Sequence, residues 1–589
     1  MKKLVVYFVA VVILFSFAAC GPTADDDGII IDPNKTQINF TVYEGGHGTL
    51  WAKELAKQFM AANPQYDSEY QIIIRGEKRG DADVVVEINS GKSPYQGYIL
   101  SSNNIVSAIY RDSILELSDV VDRKVDGEEN DTIRNKILRY DEWSSIYSKY
   151  GEGLYAVPFA DSVMGWVYDH QYFVDEGFYI TASASDEAGM TAQGITFEIV
   201  ERGNSTEYKF VSSTGAVNYR EGDTILSAGK DGKYGTYDDG QPQTIAEWDD
   251  LIANISGTNA KSFIWGGAVD SYTRTILEAL FAQYGGMDIY NTYFTYDSGG
   301  EEVELADGTK TVITPNNGYL VNQIAEVKYA YEFFYKYFNA HKDSLSYDTI
   351  HSSATDLTSY HKDAQNKFLL GHKGAKDNPR SAMLLDGTWW EYEASTMFNT
   401  IAATEPERGY GMREYRYMLL PNLGENQKSD KSVISACESG VMLLTKDSNT
   451  NRQAVTKDFL AYILKDESLR YFVRETNSLM PYEIGLTEED INSITPFARN
   501  MIELYFDHDN VDVVRPQISS LVSPLAYTSP RGTDRLAPKI SDKFMTSPGT
   551  LARTYTLTQT LSGLKSSYTA ADWANYIALA KNQGFYTNL

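Results

Sequence analysis

Two tryptophans stand side by side in "MLLDGTWWEYE", Met383 to Glu393, directly after an Asp-Gly step and with acids on both flanks. Neighbours on an extended strand point to opposite faces, so one ring of this pair is expected to pack inward. The other can leave the core for solvent or a ligand. Trp combines an apolar face with a hydrogen-bonding tip, which suits both cores and carbohydrate-like surfaces. Trp389, Trp390 and Asp386 are therefore the first binding candidates. Other chemical signatures fail. Gly91-Lys92-Ser93 lacks the glycine that a phosphate loop needs five positions earlier, where Val86 stands. There is no GxSxG elbow and no HExxH, and the seven histidines show no tight ligand spacing, so each reads as solvated or as a local hydrogen-bonder. With 80 acidic residues, chance carboxylate pairs abound, and a glycosidase pair cannot be picked out.

A second set of side chains suits a hard cation. In "AGKDGKYGTYDDGQPQT", Asp231, Asp238 and Asp239 are spread through a glycine-rich loop ahead of Thr244. Backbone carbonyls could complete the six to eight oxygens that Ca²⁺ takes. The stretch resembles the DG-x-x-GT-x-DDG loops of extracellular bacterial proteins and lacks the alternating ligands and final Glu of an EF-hand. A structural Ca²⁺ is the expectation, with no other cofactor required; a solvated turn is the alternative.

These residues need elements to hold them. "TQINFTVYE" reads as a strand, and "TLWAKELAKQFMAANP" as a helix capped by Thr49, with Ala52, Leu55, Ala56 and Phe59 as its stripe and Asn63-Pro64 as its end. "QIIIRGE" and "DADVVVEI" follow as apolar strands, completing a βαβ unit and hence a parallel sheet covered by helices. From about residue 180 to 243 the texture turns β-rich and glycine-broken, as in an inserted hairpin region. Thr244 and Glu247 form a capping box for the helix carrying Ile245, Trp248, Leu251 and Ile252. Tyr331, Phe334, Tyr335 and Phe338 stripe another helix, and the tail from Leu551 reads as two helices broken near 566–569.

At 589 residues the chain exceeds one core. A net charge of −28 without a basic stripe argues against nucleic acid. The 43 tyrosines suit cores and carbohydrate-like surfaces alike. Lys2 and Lys3, the apolar run Leu4 to Phe15 and then "FAAC" read as a secretory signal. Its ending resembles a bacterial lipobox, in which Cys20 becomes the lipidated N-terminus. Cys437, the only other cysteine, lies in an apolar run and reads as a small buried residue.

Four stretches together resemble the family 1 extracellular solute-binding proteins, the maltose-binding type that feeds ABC importers. They are "VYEGGHGTLWAKELAKQFMAANP", "GLYAVPFADSVMGWVYDHQYF", "MLLDGTWWEYE" and the run from "YMLLPNLGENQKSDKSVISACESG" to "SLMPY". The resemblance implies an α/β fold of two lobes, each a mainly parallel sheet flanked by helices, with a ligand cleft between lobes. Residues 1–20 are then signal and 21–36 tether. Lobe 1 takes 37–160 and 437–505, and lobe 2 takes 161–436 and 506–589, with the 180–243 insertion as the departure from the family. By position the resemblance puts Trp389 in the cleft. It adds Glu44, Gly46 and His47 after the first strand, Asn89 and Ser90 ending the "DVVVEINS" strand, Asp161 and Ser162 past the lobe crossing, Tyr272 opening a helix, and Glu438 and Ser439 on the return crossing. It implies no catalysis. The implied protein is a monomeric receptor held outside the cell by lipid on Cys20. It would hand a carbohydrate, in the first place an oligosaccharide, to a permease and its ATPase subunit. An extracellular glycoside hydrolase and a non-transport surface glycan-binding lipoprotein are the alternatives.

Overall fold

The computed structural model describes residues 23–24, 29–79, 81–101, 105–125, 132–149, 151–203, 205–215, 217–373, 375–516, 548–567 and 569–582. The chain divides into two compact units. Unit 1 comprises residues up to Phe159, Gly440–Glu475 and Tyr482–Gly485. Unit 2 comprises Ala160–Ser439, Thr476–Pro481 and Leu486 onward. Residues 160, 437–439, 476–481 and 486–505, expected with the first lobe, thus fall in unit 2. Cys20 lies outside the described residues.

Unit 1 opens with β1 (Thr36–Tyr43), α1 (Leu50–Ala62), β2 (Tyr70–Glu77), α2 (Asp81–Asn89) and β3 (Gly97–Leu100). The stripe Ala52, Leu55, Ala56 and Phe59 of α1 is buried as its spacing requires. Thr49 sits at the N-cap in a helical conformation, and its side chain makes no capping hydrogen bond, contrary to expectation. A larger correction concerns "DADVVVEI", which forms helix α2 and not a strand. On a strand Val84, Val86 and Ile88 would share a face. Here Val84 and Ile88 are buried while Val86 is 68% exposed, the mark of a four-residue helical repeat. Packing one apolar face has overridden the β preference of three valines. β1 pairs in parallel with both β2 and β3.

β4 (Val157–Asp169) carries the chain into unit 2. The insertion follows: β5 (Ile195–Arg202) and β6 (Ser205–Ser213) form an antiparallel hairpin. It has a small core of its own, built on Met190, Ile195, Tyr208, Phe210, Ile225 and Tyr234. The Asp231–Asp239 loop leads to α3 (Ile245–Gly257), capped by the Thr244/Glu247 box. Then come β7 (Lys261–Ile264), α4 (Ser271–Thr295, kinked at Gly286), α5 (Ala325–Tyr337), β8 (Ser381–Gly387), the short α6 (Trp390–Glu393) and β9 (Tyr415–Met418). The return strand is β10 (Ser432–Leu444), followed by α7 (Thr450–Ile463), β11 (Val511–Val514), α8 (Pro548–Thr554), α9 (Leu557–Ser566) and α10 (Ala570–Asn582).

β7 pairs in parallel with β8, and β11 with the first half of β10. Within the large sheet the antiparallel pairs involve the strands that change unit. β4 lies against β8 and β9, and the second half of β10 lies against β3. The core of unit 2 centres on Trp166, Phe263, Trp265 and Phe338, with α4 and α5 packed over it.

Candidate functional site

The site is built on the first two turns of α4. Ser271, Tyr272, Arg274, Thr275 and Glu278 follow helical i, i+3, i+4, i+7 spacing and line a cavity of about 250 Å³ within unit 2. Trp389 and Met164 supply apolar wall, and Cys437 and Pro516 complete it. Ile276, Leu277, Leu280 and Phe281 of α4 are buried in the core, so its polar stripe faces the cavity while these apolar side chains face inward.

Trp389 and Trp390 do divide their roles, by a different geometry from the one expected. β8 ends at Gly387, so the pair is not on a strand. Trp389 is the N-cap residue of α6 and Trp390 its first residue. Trp390 is fully buried among Phe368, Phe398, Tyr415 and Phe497. Trp389 is 7% exposed, lines the cavity, and stands at 68° to Tyr272 with ring centres 6.4 Å apart. The Trp389 ring folds back over Gly387. A Cβ there would lie 2.5 Å from ring atoms Cζ2 and Cζ3, so the glycine is required by close approach.

The acids beside the tryptophans turn inward. Asp386 Oδ1 accepts from the Gly387 N–H at 2.8 Å and Oδ2 from Gln365 Nε2 at 3.0 Å. Its burial is complete, which pushes its carboxyl up to about 8. Glu391 Oε2 accepts from Thr495 Oγ1 at 2.6 Å, and burial pushes that carboxyl up to about 7. Asp386 is therefore part of the internal scaffold of the "DGTWW" turn and does not line the cavity.

Of the remaining candidates, Tyr272 lines the cavity and sits 6.0 Å from the His361 ring. Asp161 is buried and committed to Arg515 Nε at 2.5 Å and Tyr505 Oη at 2.6 Å. Ser162 is buried, and its carbonyl accepts from the Cys437 thiol at 3.4 Å. Cys437 is half-buried on the cavity wall, which corrects its reading as a simple core residue. The side chains of Glu438 and Ser439 lie outside the described residues, on β10.

The other candidate ligand residues belong to unit 1. Glu44 is exposed and pairs with Lys78 Nζ at 3.2 Å, and Gly46 occupies a left-handed turn. Asn89 ends α2 and donates to Ser107 Oγ at 2.9 Å, and Ser90 is exposed just beyond. His47 is 3% exposed between Phe159 and Phe472, and among the described residues neither ring nitrogen has a hydrogen-bond partner. Burial pushes its pKa down to about 4. This corrects its reading as solvated or hydrogen-bonded.

In the insertion, Asp238 accepts from the N–H of Lys230 at 2.7 Å, the N–H of Asp231 at 3.2 Å and Thr236 Oγ1 at 3.1 Å. Asp239 accepts from the Gly235 N–H at 2.7 Å and from Tyr219 Oη. Asp231 accepts from the Lys233 N–H at 2.7 Å. Among the described residues no three His, Cys, Asp or Glu side chains converge as metal ligands. Burial pushes the carboxyls of Asp238 and Asp239 up to about 7, with the Asp231 charge adding to the rise at Asp238.

No protein-family model matches the sequence, and no curated protein matches it. Solved structures do match the fold. RafE from Streptococcus pneumoniae, in its apo form, superposes with a TM-score of 0.51 at 12% identity, over 93% of this chain and 100% of that one. A structure described as a "probable secreted solute-binding lipoprotein" from Streptomyces coelicolor gives 0.51 at 12% identity, over 91% and 99%. The bacterial solute receptor AcbH, described as exclusive for β-D-galactopyranose, gives 0.51 at 10% identity, over 92% and 100%. The chain has the fold of bacterial solute-binding proteins. In this solute-binding fold, Arg274, Thr275 and Glu278 are cavity residues that sequence reasoning missed. The polar stripe Ser271, Arg274/Thr275, Glu278 in an apolar helix was the available signal.

Proposed function

We propose that this chain is the extracellular receptor of an ABC importer, a monomer anchored by lipid on Cys20. It captures a carbohydrate, in the first place an oligosaccharide, for delivery to a permease and its ATPase subunit. The observation that carries the reading is the unit 2 cavity. Two aromatic side chains set at a steep angle, Trp389 and Tyr272, meet a hydrogen-bonding stripe on α4. Aromatic faces beside fixed polar groups suit a pyranose ring, which has apolar C–H faces and a polar rim. The fold shared with AcbH and the S. coelicolor lipoprotein supports the same reading. Binding, not hydrolysis, fits the cavity. Glycoside hydrolysis takes two carboxyl groups, whereas among the described residues Glu278 is the one carboxylate lining this wall, and it is ion-paired with Arg274.

A thermal-shift screen over an oligosaccharide panel tests this, because a ligand held by the native state alone raises stability by RT ln(1 + [L]/Kd). A shift without released product supports the receptor. Product formation would overturn it in favour of an enzyme. Anchoring is tested separately by palmitate labelling of whole cells: label on the wild type that vanishes in Cys20→Ala supports it, and label persisting in the variant refutes it.

A further inference from the structure

The charges around the cavity are arranged in closed pairs. Among the described residues Arg274 is the cation lining the wall, and its Nε donates to Oε1 of Glu278 one helical turn on. Glu278 is 1% exposed, and its other oxygen accepts from Ser435 Oγ at 3.2 Å. Behind the wall, Arg515 adjoins the lining residue Pro516 and is paired with buried Asp161. Each of these two guanidiniums thus has a buried carboxylate of its own, and among the described residues the wall carries no net charge. Unpaired, the same guanidinium would be a fork matched to a ligand carboxylate.

We infer that Glu278 is a specificity-determining residue: by neutralising Arg274 it makes the cavity selective for uncharged saccharides and turns away acidic sugars such as uronates. This rests on the carbohydrate-receptor reading above. The physical basis is a difference of affinities. A uronate carboxylate must leave water and find Arg274 already occupied by Glu278, whose own charge repels it. A neutral hydroxyl loses far less on desolvation.

Glu278→Gln keeps the shape, and its amide oxygen can still accept from Arg274 Nε, but the compensating charge is gone. Arg274→Gln/Glu278→Gln removes both charges. Calorimetric titration of each protein uses the matched pairs galactose and galacturonate, galactobiose and digalacturonate, and cellobiose and cellobiouronate. The wild type is expected to bind the neutral member at least about tenfold more tightly. Glu278→Gln should shrink that ratio by about tenfold or invert it, and the double variant should restore the wild-type preference. An unchanged ratio in a Glu278→Gln protein with a cooperative melt overturns the inference while leaving the receptor reading intact. So does a wild type that prefers the uronate, whatever the variants do. A wild type that binds no saccharide in the panel or in the wider screen overturns both.

Discussion

Trp389 and Trp390 differ by one position and should differ in what they support. Trp389 offers its ring to the cavity, so Trp389→Ala should fold and lose about 2 kcal/mol of binding, more than tenfold in affinity. Trp390 fills a pocket of four aromatic rings, so Trp390→Ala should lose about 3–5 kcal/mol of stability. Titration and melts on the two variants check this, and exchanged phenotypes would mean the roles are reversed. The division was legible in the sequence from the doublet itself. Its cause was not, because the two rings part at a strand-to-helix junction, where period-two alternation no longer applies. His47 was misread for a related reason. A polar residue in a Gly-rich stretch suggests solvent, yet the side chain is enclosed by Phe159 and Phe472, the latter far along the chain. Its folded pKa, near 4, lies below the unfolded value of about 6.5. The unfolded state therefore binds more protons in that interval, and stability should fall as pH drops from about 6.5 toward 4. His47→Phe should flatten that part of the melting-temperature profile. An equally steep profile in the variant would mean that other groups carry the acid loss.

At the scale of elements, the 229–240 loop makes the sharpest prediction. Asp238 and Asp239 have folded pKa values raised to about 7, against unfolded values near 3.9. Between those limits the native state holds more protons than the unfolded chain, so this contribution to stability is lost as pH rises. With EDTA present, melts of the wild type should show this loss from about pH 4 to 7, against the opposite slope from His47. Asp238→Asn/Asp239→Asn should remove it. A Ca²⁺ ion at the loop, proposed from the spacing of its acids, would stabilise the ionised carboxylates and abolish the slope when calcium replaces EDTA. An identical slope in calcium and EDTA refutes the cation. Local signals predicted other elements well, because their causes are local. The Thr244/Glu247 box caps α3 as its spacing required, and the α1 stripe is buried. α2 was misread because its decisive fact, which side meets the core, is set by residues outside the segment itself. Glu87, for example, accepts from Tyr98 Oη at 2.5 Å and pairs with Arg79 at 2.7 Å.

The whole molecule carries a net charge of −28, and that figure separates folding from binding. Self-repulsion on this scale opposes the compact state, and salt screens it, with a Debye length falling from about 30 Å at 0.01 M to about 10 Å at 0.1 M. Raising NaCl across that range should therefore raise the melting temperature. A neutral saccharide has no charge for that field to act on, and the Arg274 guanidinium on the cavity wall is paired with buried Glu278. Affinity for the ligand found in the screen should then change by less than about twofold over the same range of salt, since screening acts only on charged partners. An acidic ligand would behave otherwise, because screening would lower its repulsion from the acidic surface while weakening any contact with Arg274. Titrations at 0.01 and 0.1 M NaCl, read beside melts in the same buffers, make the comparison. A melting temperature that rises while Kd stays fixed is expected of a highly charged receptor for an uncharged sugar, and a Kd that moves severalfold with salt would exclude it.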